Sequence, residues 1–222
     1  MTMANEDTNV VRALRGLTDD SASVRLRAAL AVGTAPDARC VDGLVGRCAV
    51  EPDFQVREML TWALTRHAPA DTLPPLLDAL RSEHAQARSQ ALHTLSKIGD
   101  PVAWPAITAA LMTDADDDVA RSAWRAAVVL VPEAETPALA GVLAGQLGRG
   151  GRETRLSLSR ALIGLGDAMT AVVRTATADP RPAVRRHAIA TEKMFHDPDA
   201  GFDFAIEEAK RIVALGPEGQ EE

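Results

Sequence analysis

Tyrosine is missing from this 222-residue chain, and aromatic residues make up only 3% of it. Successive bases of a single-stranded nucleic acid would therefore find few rings on which to stack. Long apolar runs are missing too. No stretch reaches the roughly 18 consecutive apolar residues of a membrane span, and the opening MTMANEDTNV has neither the basic end nor the apolar core of an export signal. These features predict a cytoplasmic protein with no membrane partner. Cysteine is scarce: Cys40 and Cys48 are the pair, eight residues apart on what reads as one helix. At about 1.5 Å per residue they would stand roughly 12 Å apart, too far for a disulfide. Basic charge is in deficit, with 24 Lys and Arg against 31 Asp and Glu and a net charge of -7, which argues against a general affinity for nucleic acid. A net figure can still hide a basic face.

What the chain does have is apolar content, 46%, and a repeating sentence. Residues 82–100, SEHAQARSQALHTLSKIGD, restate residues 19–33 and 114–130: a polar turn, a small apolar residue, an arginine, then an alanine-rich run. With the small residue as position zero, the anchors are Val24, Val56, Ala87, Val119, Thr154 and Val184, spaced by 32, 31, 32, 35 and 30 residues. An arginine follows in five of the six (Arg25, Arg57, Arg88, Arg155, Arg185), whereas the fourth repeat has Ala120 there and Arg121 one place later. Ala91, Leu95 and Ile98 continue the anchor stripe at helical spacing. A second set of helices alternates with these, with Pro74, Pro75 and Pro105 expected in first turns, where proline costs least. Each repeat is thus expected to be a helical hairpin that buries its apolar face only by stacking on its neighbours.

The run IGDPVAWPAITAALMTDADDDVARSAWRAAVVL resembles the HEAT repeat, in particular the short bacterial, phycobilisome-lyase-like form. More loosely, residues 53–132 resemble the HEAT domains behind MerR-type DNA-binding domains in bacterial regulators. The resemblance implies an all-α, right-handed α-solenoid of about six hairpins plus a C-terminal capping helix. The expected boundaries are a flexible start at 1–7, the solenoid at 8–196, the capping helix at 197–213 and a disordered acidic tail at 214–222. It also implies a ladder between repeats, with the anchor arginines paired to Asp19, Asp53, Asp117, Asp179 or Glu83, and places the second helix of each hairpin on the inner, concave surface.

Motifs for chemistry are scarce. Of His67, His84, His93, His187 and His196, none forms an HExxH or the His-Glu dipeptide of HEAT-repeat di-iron hydroxylases. The spacing of HDPDAGFD is not that of a calcium loop, and GQLGRGGRE lacks the lysine of a P-loop. No enzyme, catalytic residue, metal or cofactor is expected.

Charge is distributed unevenly over the hairpins. The six second helices hold 15 of the 24 basic residues but only 5 of the 31 acidic ones. Position six past each anchor, opposite the apolar stripe, reads Leu30, Trp62, His93, Arg125, Arg160 and Ala190. The predicted binding groove is therefore Trp62, Arg66, His93, Lys97, Arg121, Arg125 and Arg160, flanked by Glu58 and Ser89. Trp124 and Trp104 are expected to pack between helices. The expected function is a protein–protein interaction module that receives an acidic segment of another protein. A ligand-sensing or effector module of a transcription regulator is the alternative, and a DNA-binding protein or HEAT-like DNA glycosylase the next.

Overall fold

A computed structural model describes residues 3–197 and 202–215, and within them the chain is all-α. It divides into two compact units, Met1–Leu111 with Asp118–Leu130, and Met112–Asp117 with Val131–Glu222. Each unit stacks helical hairpins, the solenoid construction that the repeat predicts.

The first unit pairs α1 (Met3–Leu17) with α2 (Ala22–Thr34), α3 (Val41–Cys48) with α4 (Phe54–Thr65), and α5 (Pro69–Ala79) with α6 (Ala85–Ile98). A short α7 (Ala109–Met112) then precedes α8 (Asp117–Leu130). The second unit pairs α9 (Thr136–Ala144) with α10 (Arg152–Gly164) and α11 (Thr170–Ala176) with α12 (Pro182–His196), and adds α13 (Phe202–Leu215). Helix α1 takes in residues expected to precede the first hairpin. The expected tail falls outside the described residues from 216 on, and residues 198–201 of the expected capping segment lie outside them too.

The anchor stripe is the core. Val56, Leu60, Ala91, Leu95, Val119, Ala123, Leu158 and Ala188 are all buried, as is Trp124. Register between neighbours repeats as well: position five of one second helix meets position seven of the next, Thr61 with Thr94 at 3.5 Å and Ser159 with Thr191 at 2.8 Å. Helix α13 closes the stack by covering Ile189 and Ala190 with Ala205 and Ala209, with Ile206 beside them. Ala190, expected to face the groove, is therefore buried.

Three helix expectations change. Helix α5 starts at Pro69, so Pro74 and Pro75 lie inside it. The carbonyls of Ala70 and Asp71 that these prolines leave without an N–H donor belong to exposed residues that water can serve. In the fourth hairpin, Pro101–Ala106 is a 3-10 segment holding the half-buried Trp104, and regular helix resumes only at Ala109. Cys40 ends a 3-10 turn rather than sharing a helix with Cys48; both are buried free thiols.

The ladder is also built differently. Four of the five anchor arginines turn back and donate from Nη1 to the two carbonyls five and six residues before them, whereas Arg155 reaches only the Gly151 carbonyl, from Nε at 3.4 Å. Arg25 reaches Asp19 and Asp20 at 2.9 and 2.8 Å, Arg57 reaches Glu51 and Pro52 at 2.9 and 2.8 Å, and Arg88 reaches Ser82 and Glu83 at 2.8 and 3.1 Å. Arg185 does the same to Asp179 and Pro180. These carbonyls lie in the turn after the first helix, where the backbone has no helical partner and a cation is favoured. The anticipated acids have other uses: Asp53 caps α4 by accepting from the Val56 N–H, and Asp179 holds Arg181. Arg25 also bridges repeats through a carboxylate, that of Glu51. Arg25 grips it with Nε at 2.7 Å and Nη2 at 2.8 Å, and Arg47 adds a further bond at 2.7 Å.

Candidate functional site

The fourth repeat, where the arginine comes one place late, has no such clamp. Its turn is held instead by Arg149, which donates to the Asp114 carbonyl and, at 2.9 Å, to the Asp117 carboxylate. A slip of one residue turns a helical side chain by about 100°. Arg121 is thereby taken off the turn and delivered to the face of α8 beside Arg125.

There the first unit has a recess of about 210 Å³, lined by Phe54, Arg57 and Glu58 of α4, Ser89, Gln90 and His93 of α6, and Asp118, Arg121, Ser122 and Arg125 of α8. Among the predicted groove residues the structure brings His93, Arg121 and Arg125 together here, with Glu58 and Ser89. Trp62, Arg66 and Lys97 are exposed but do not line the recess. Arg160 is exposed on α10 of the second unit. Trp62 is 38% exposed because one face of its ring lies on Gly33 of α2, where no side chain would fit beneath it.

The recess mixes three guanidiniums with two carboxylates. Asp118 lies 3.5 Å from Arg121, and Glu58 lies 3.4 Å from the His93 Nε2. Burial lowers the His93 pKa; Arg125 and Lys97 push the same way, and Glu58 opposes them. Burial and the neighbouring Arg121 likewise lower the pKa of Arg125, against the pull of Glu58 and Asp118. Arg57 lies over the Phe54 ring, 5.8 Å from its centre, and Phe54 is 65% exposed at the rim. Ser89 Oγ bonds the Ser122 Oγ at 3.1 Å, which leaves no serine paired with His93 as a nucleophile would be.

Three buried polar atoms in this recess make no hydrogen bond: Gln90 Oε1, Arg121 Nε and His93 Nε2, the last with the Glu58 carboxylate 3.4 Å away as an ionic neighbour only. An unsatisfied buried polar atom costs about 1 to 3 kcal/mol, so native structures hold few of them. Only one other such side-chain atom is found among the described residues, His67 Nε2. Sequence reasoning missed Phe54, Gln90 and Asp118, and it gave Arg57 a purely structural role. The signal available was the displaced Arg121.

A second polar cluster lies in the core of the second unit. His187 accepts the Gly148 N–H at Nδ1 (3.0 Å), and its Nε2 lies 3.0 Å from both the Ser159 Oγ and the Arg155 carbonyl. The tautomer carrying hydrogen on Nε2 satisfies all three. Burial is the main cause that lowers its pKa to about 4; the Arg155 carbonyl opposes the shift, and the Arg155 charge adds to it. Ser159 beside His187 has the spacing of a nucleophile and base, but the residues are 0% and 1% exposed, so no substrate reaches them. Among the described residues no three His, Cys, Asp or Glu side chains gather as a metal-binding group would, and no helix is long and apolar enough to cross a membrane.

Residues 41–128, the span from α3 into α8, match the family described as HEAT repeats. No curated protein matches the sequence. Among solved structures the chain is similar to human deoxyhypusine hydroxylase in complex with glycerol, at 16% identity and a TM-score of 0.48 over 97% of this chain and 100% of that one. It is also similar to the complex of CpcE and CpcF of phycocyanin lyase from Nostoc sp. PCC7120, at 15% identity and a TM-score of 0.49 over 95% of this chain and 90% of that one.

Proposed function

We propose that this HEAT-like repeat protein is a non-enzymatic interaction module that holds an acidic segment of another protein on the second-helix face of its first unit. One carboxylate of that segment seats in the recess between α4, α6 and α8. The observation that carries this reading is the convergence of three buried polar atoms that make no hydrogen bond on one recess lined by Arg57, Arg121 and Arg125. A carboxylate accepts from Arg121 Nε and from His93 Nε2 once the ring carries hydrogen there. A turn of the Gln90 amide swaps its oxygen for its NH₂ and supplies a third donor. Charge-assisted bonds of this kind are about twice as strong as neutral ones.

Size supports a side chain over a free metabolite, since about 210 Å³ is below the roughly 300 to 1,000 Å³ of small-molecule sites. The rest of the segment would find apolar contact on Phe54, Trp62 and Leu30, all exposed. Attachment to a transcription regulator, with the recess holding a small anionic effector, is the alternative.

The test uses the wild-type chain and the variants Arg121→Gln and Arg125→Glu as baits in parallel, with melting temperatures measured beside them. A protein that binds the wild type and is lost by both variants at unchanged melting temperature, through a segment rich in Asp or Glu, is the expected result. Equal recovery by all three baits sinks the reading. The salt dependence of binding separates nucleic acid from protein, because each neutralised phosphate adds about 0.9 to the log-log slope.

A further inference from the structure

The first hairpin leaves open the stripe that later hairpins bury. Positions zero, four and seven are buried in each of the next five: Val56, Leu60 and Ala63; Ala87, Ala91 and Thr94; Val119, Ala123 and Ala126; Thr154, Leu158 and Ala161; Val184, Ala188 and Thr191. In the first they are Val24 and Ala28, half-buried, and Ala31, exposed, and the stripe ends at the exposed Ala35. Within the first unit the cover on this stripe is the second helix of the hairpin before. Gly33 of α2 lies against Trp62 and Ala63 of α4, and Thr61 of α4 lies against Thr94 of α6. On α2 the same stripe instead floors a groove of about 820 Å³, walled by Val10, Ala13 and Gly16 of α1.

The free charges on the rim are cationic. Arg12 stands on the α1 side and Arg27 on the α2 side, both exposed. The carboxylate there, Asp37, is already held by the Arg39 side chain at 2.6 to 3.2 Å, a grip that keeps its pKa at about 2. A visitor therefore meets a floor of small apolar side chains between two guanidiniums.

We infer that this groove docks an amphipathic α-helix of a partner protein, one with small apolar residues at helical spacing and Asp or Glu along their flanks. The floor selects a helix because its register is the one that second helices cover elsewhere in the unit. Arg12 and Arg27 select acidic flanks. This surface is separate from the recess and independent of the reading proposed for it.

The test takes a side-chain-stapled peptide of about four helical turns, alanine and leucine on one stripe with glutamate flanks, and its lysine-flanked counterpart. Binding to the full chain is read by fluorescence anisotropy, and self-association by sedimentation. The glutamate peptide is expected to bind in the micromolar range, with about a tenfold loss for Ala31→Arg, which places a charge in the centre of the contact. Arg27→Glu and the lysine-flanked peptide should each weaken binding. Ala31 is exposed, so the melting temperature should hold, and Ala35→Arg, at the exposed C-cap of α2, repeats the test while keeping the backbone N–H that bonds the Ala31 carbonyl. Binding that ignores both alanine variants overturns the proposal, as does the absence of binding at millimolar peptide. A wild-type dimer that Ala31→Arg dissociates also overturns it, because the occupant would then be a second copy.

Discussion

Glu51 is fully buried between Arg25 and Arg47 and also accepts the Asp53 N–H at 2.9 Å. Burial by itself would raise its pKa, but those three donors outweigh it and hold the carboxyl at about 2. Removing one member of a buried pair leaves charge uncompensated, so Glu51→Ala should cost roughly 3 to 5 kcal/mol, while Asp53→Ala, which loses a helix cap, should cost about 1 kcal/mol. Urea unfolding of the two variants checks the order; equal costs would return the ladder to Asp53. The arginines of this ladder were legible from their spacing. Glu51 was not, because its contact to Arg25 spans 26 residues and an acid in the adjoining turn competed for the role. His187 gives a second residue-scale prediction, in pH. Its folded pKa, about 4, lies below the unfolded value of about 6.5, so its stabilising contribution is complete above pH 6.5 and is lost as pH falls through 4. That loss is about 3 kcal/mol at most. The melting temperature of the wild type should therefore fall over this window more steeply than that of His187→Gln, and parallel curves would contradict the assignment. Glu51 acts in a lower window, between its ordinary carboxylate range and pH 2.

Helix packing is the scale at which the sequence was most legible. A stripe at positions zero, four and eight has one physical solution, burial against a neighbouring hairpin, and Ala87, Ala91 and Leu95 obey it, Leu95 at 0% exposure. Leu95→Ala should destabilise by roughly 2 to 5 kcal/mol in chemical denaturation, and a change near zero would contradict the register. The prolines were less legible because sequence alone does not decide which turn of a helix they enter: Pro69 took the first turn of α5 and left Pro74 and Pro75 inside. Trp62 was read as a pure contact residue, yet a Cβ on Gly33 would collide with its ring. Gly33→Ala should therefore destabilise by about 1 to 3 kcal/mol by forcing the indole off α2, and most of that cost should vanish in a Trp62→Ala background. A double-mutant cycle read by thermal melts measures the coupling; additive costs would mean that the two helices do not meet there.

For the whole molecule the question is where a chain of net charge -7 would hold the acidic segment proposed as its partner. Counting by helix type points to the second helices, and the recess proposed as the site in the first unit is narrower than a groove-long stripe. It is a recess whose arginines are partly offset by Glu58 and Asp118, with three buried polar atoms that make no hydrogen bond. Register alone nominates His93, Arg121 and Arg125, but not the atoms without a hydrogen bond, which depend on how α4, α6 and α8 approach one another. The direct test is a calorimetric titration of the partner's acidic segment into the wild type, Arg121→Gln, Arg125→Glu and the clamp variant Arg88→Ala, with a melting curve for each. The account predicts about a tenfold or greater loss of affinity for Arg121→Gln and Arg125→Glu at unchanged melting temperature, and a lowered melting temperature with near-native affinity for Arg88→Ala. Normal binding by both recess variants, with binding abolished by Arg88→Ala at unchanged stability, would contradict it.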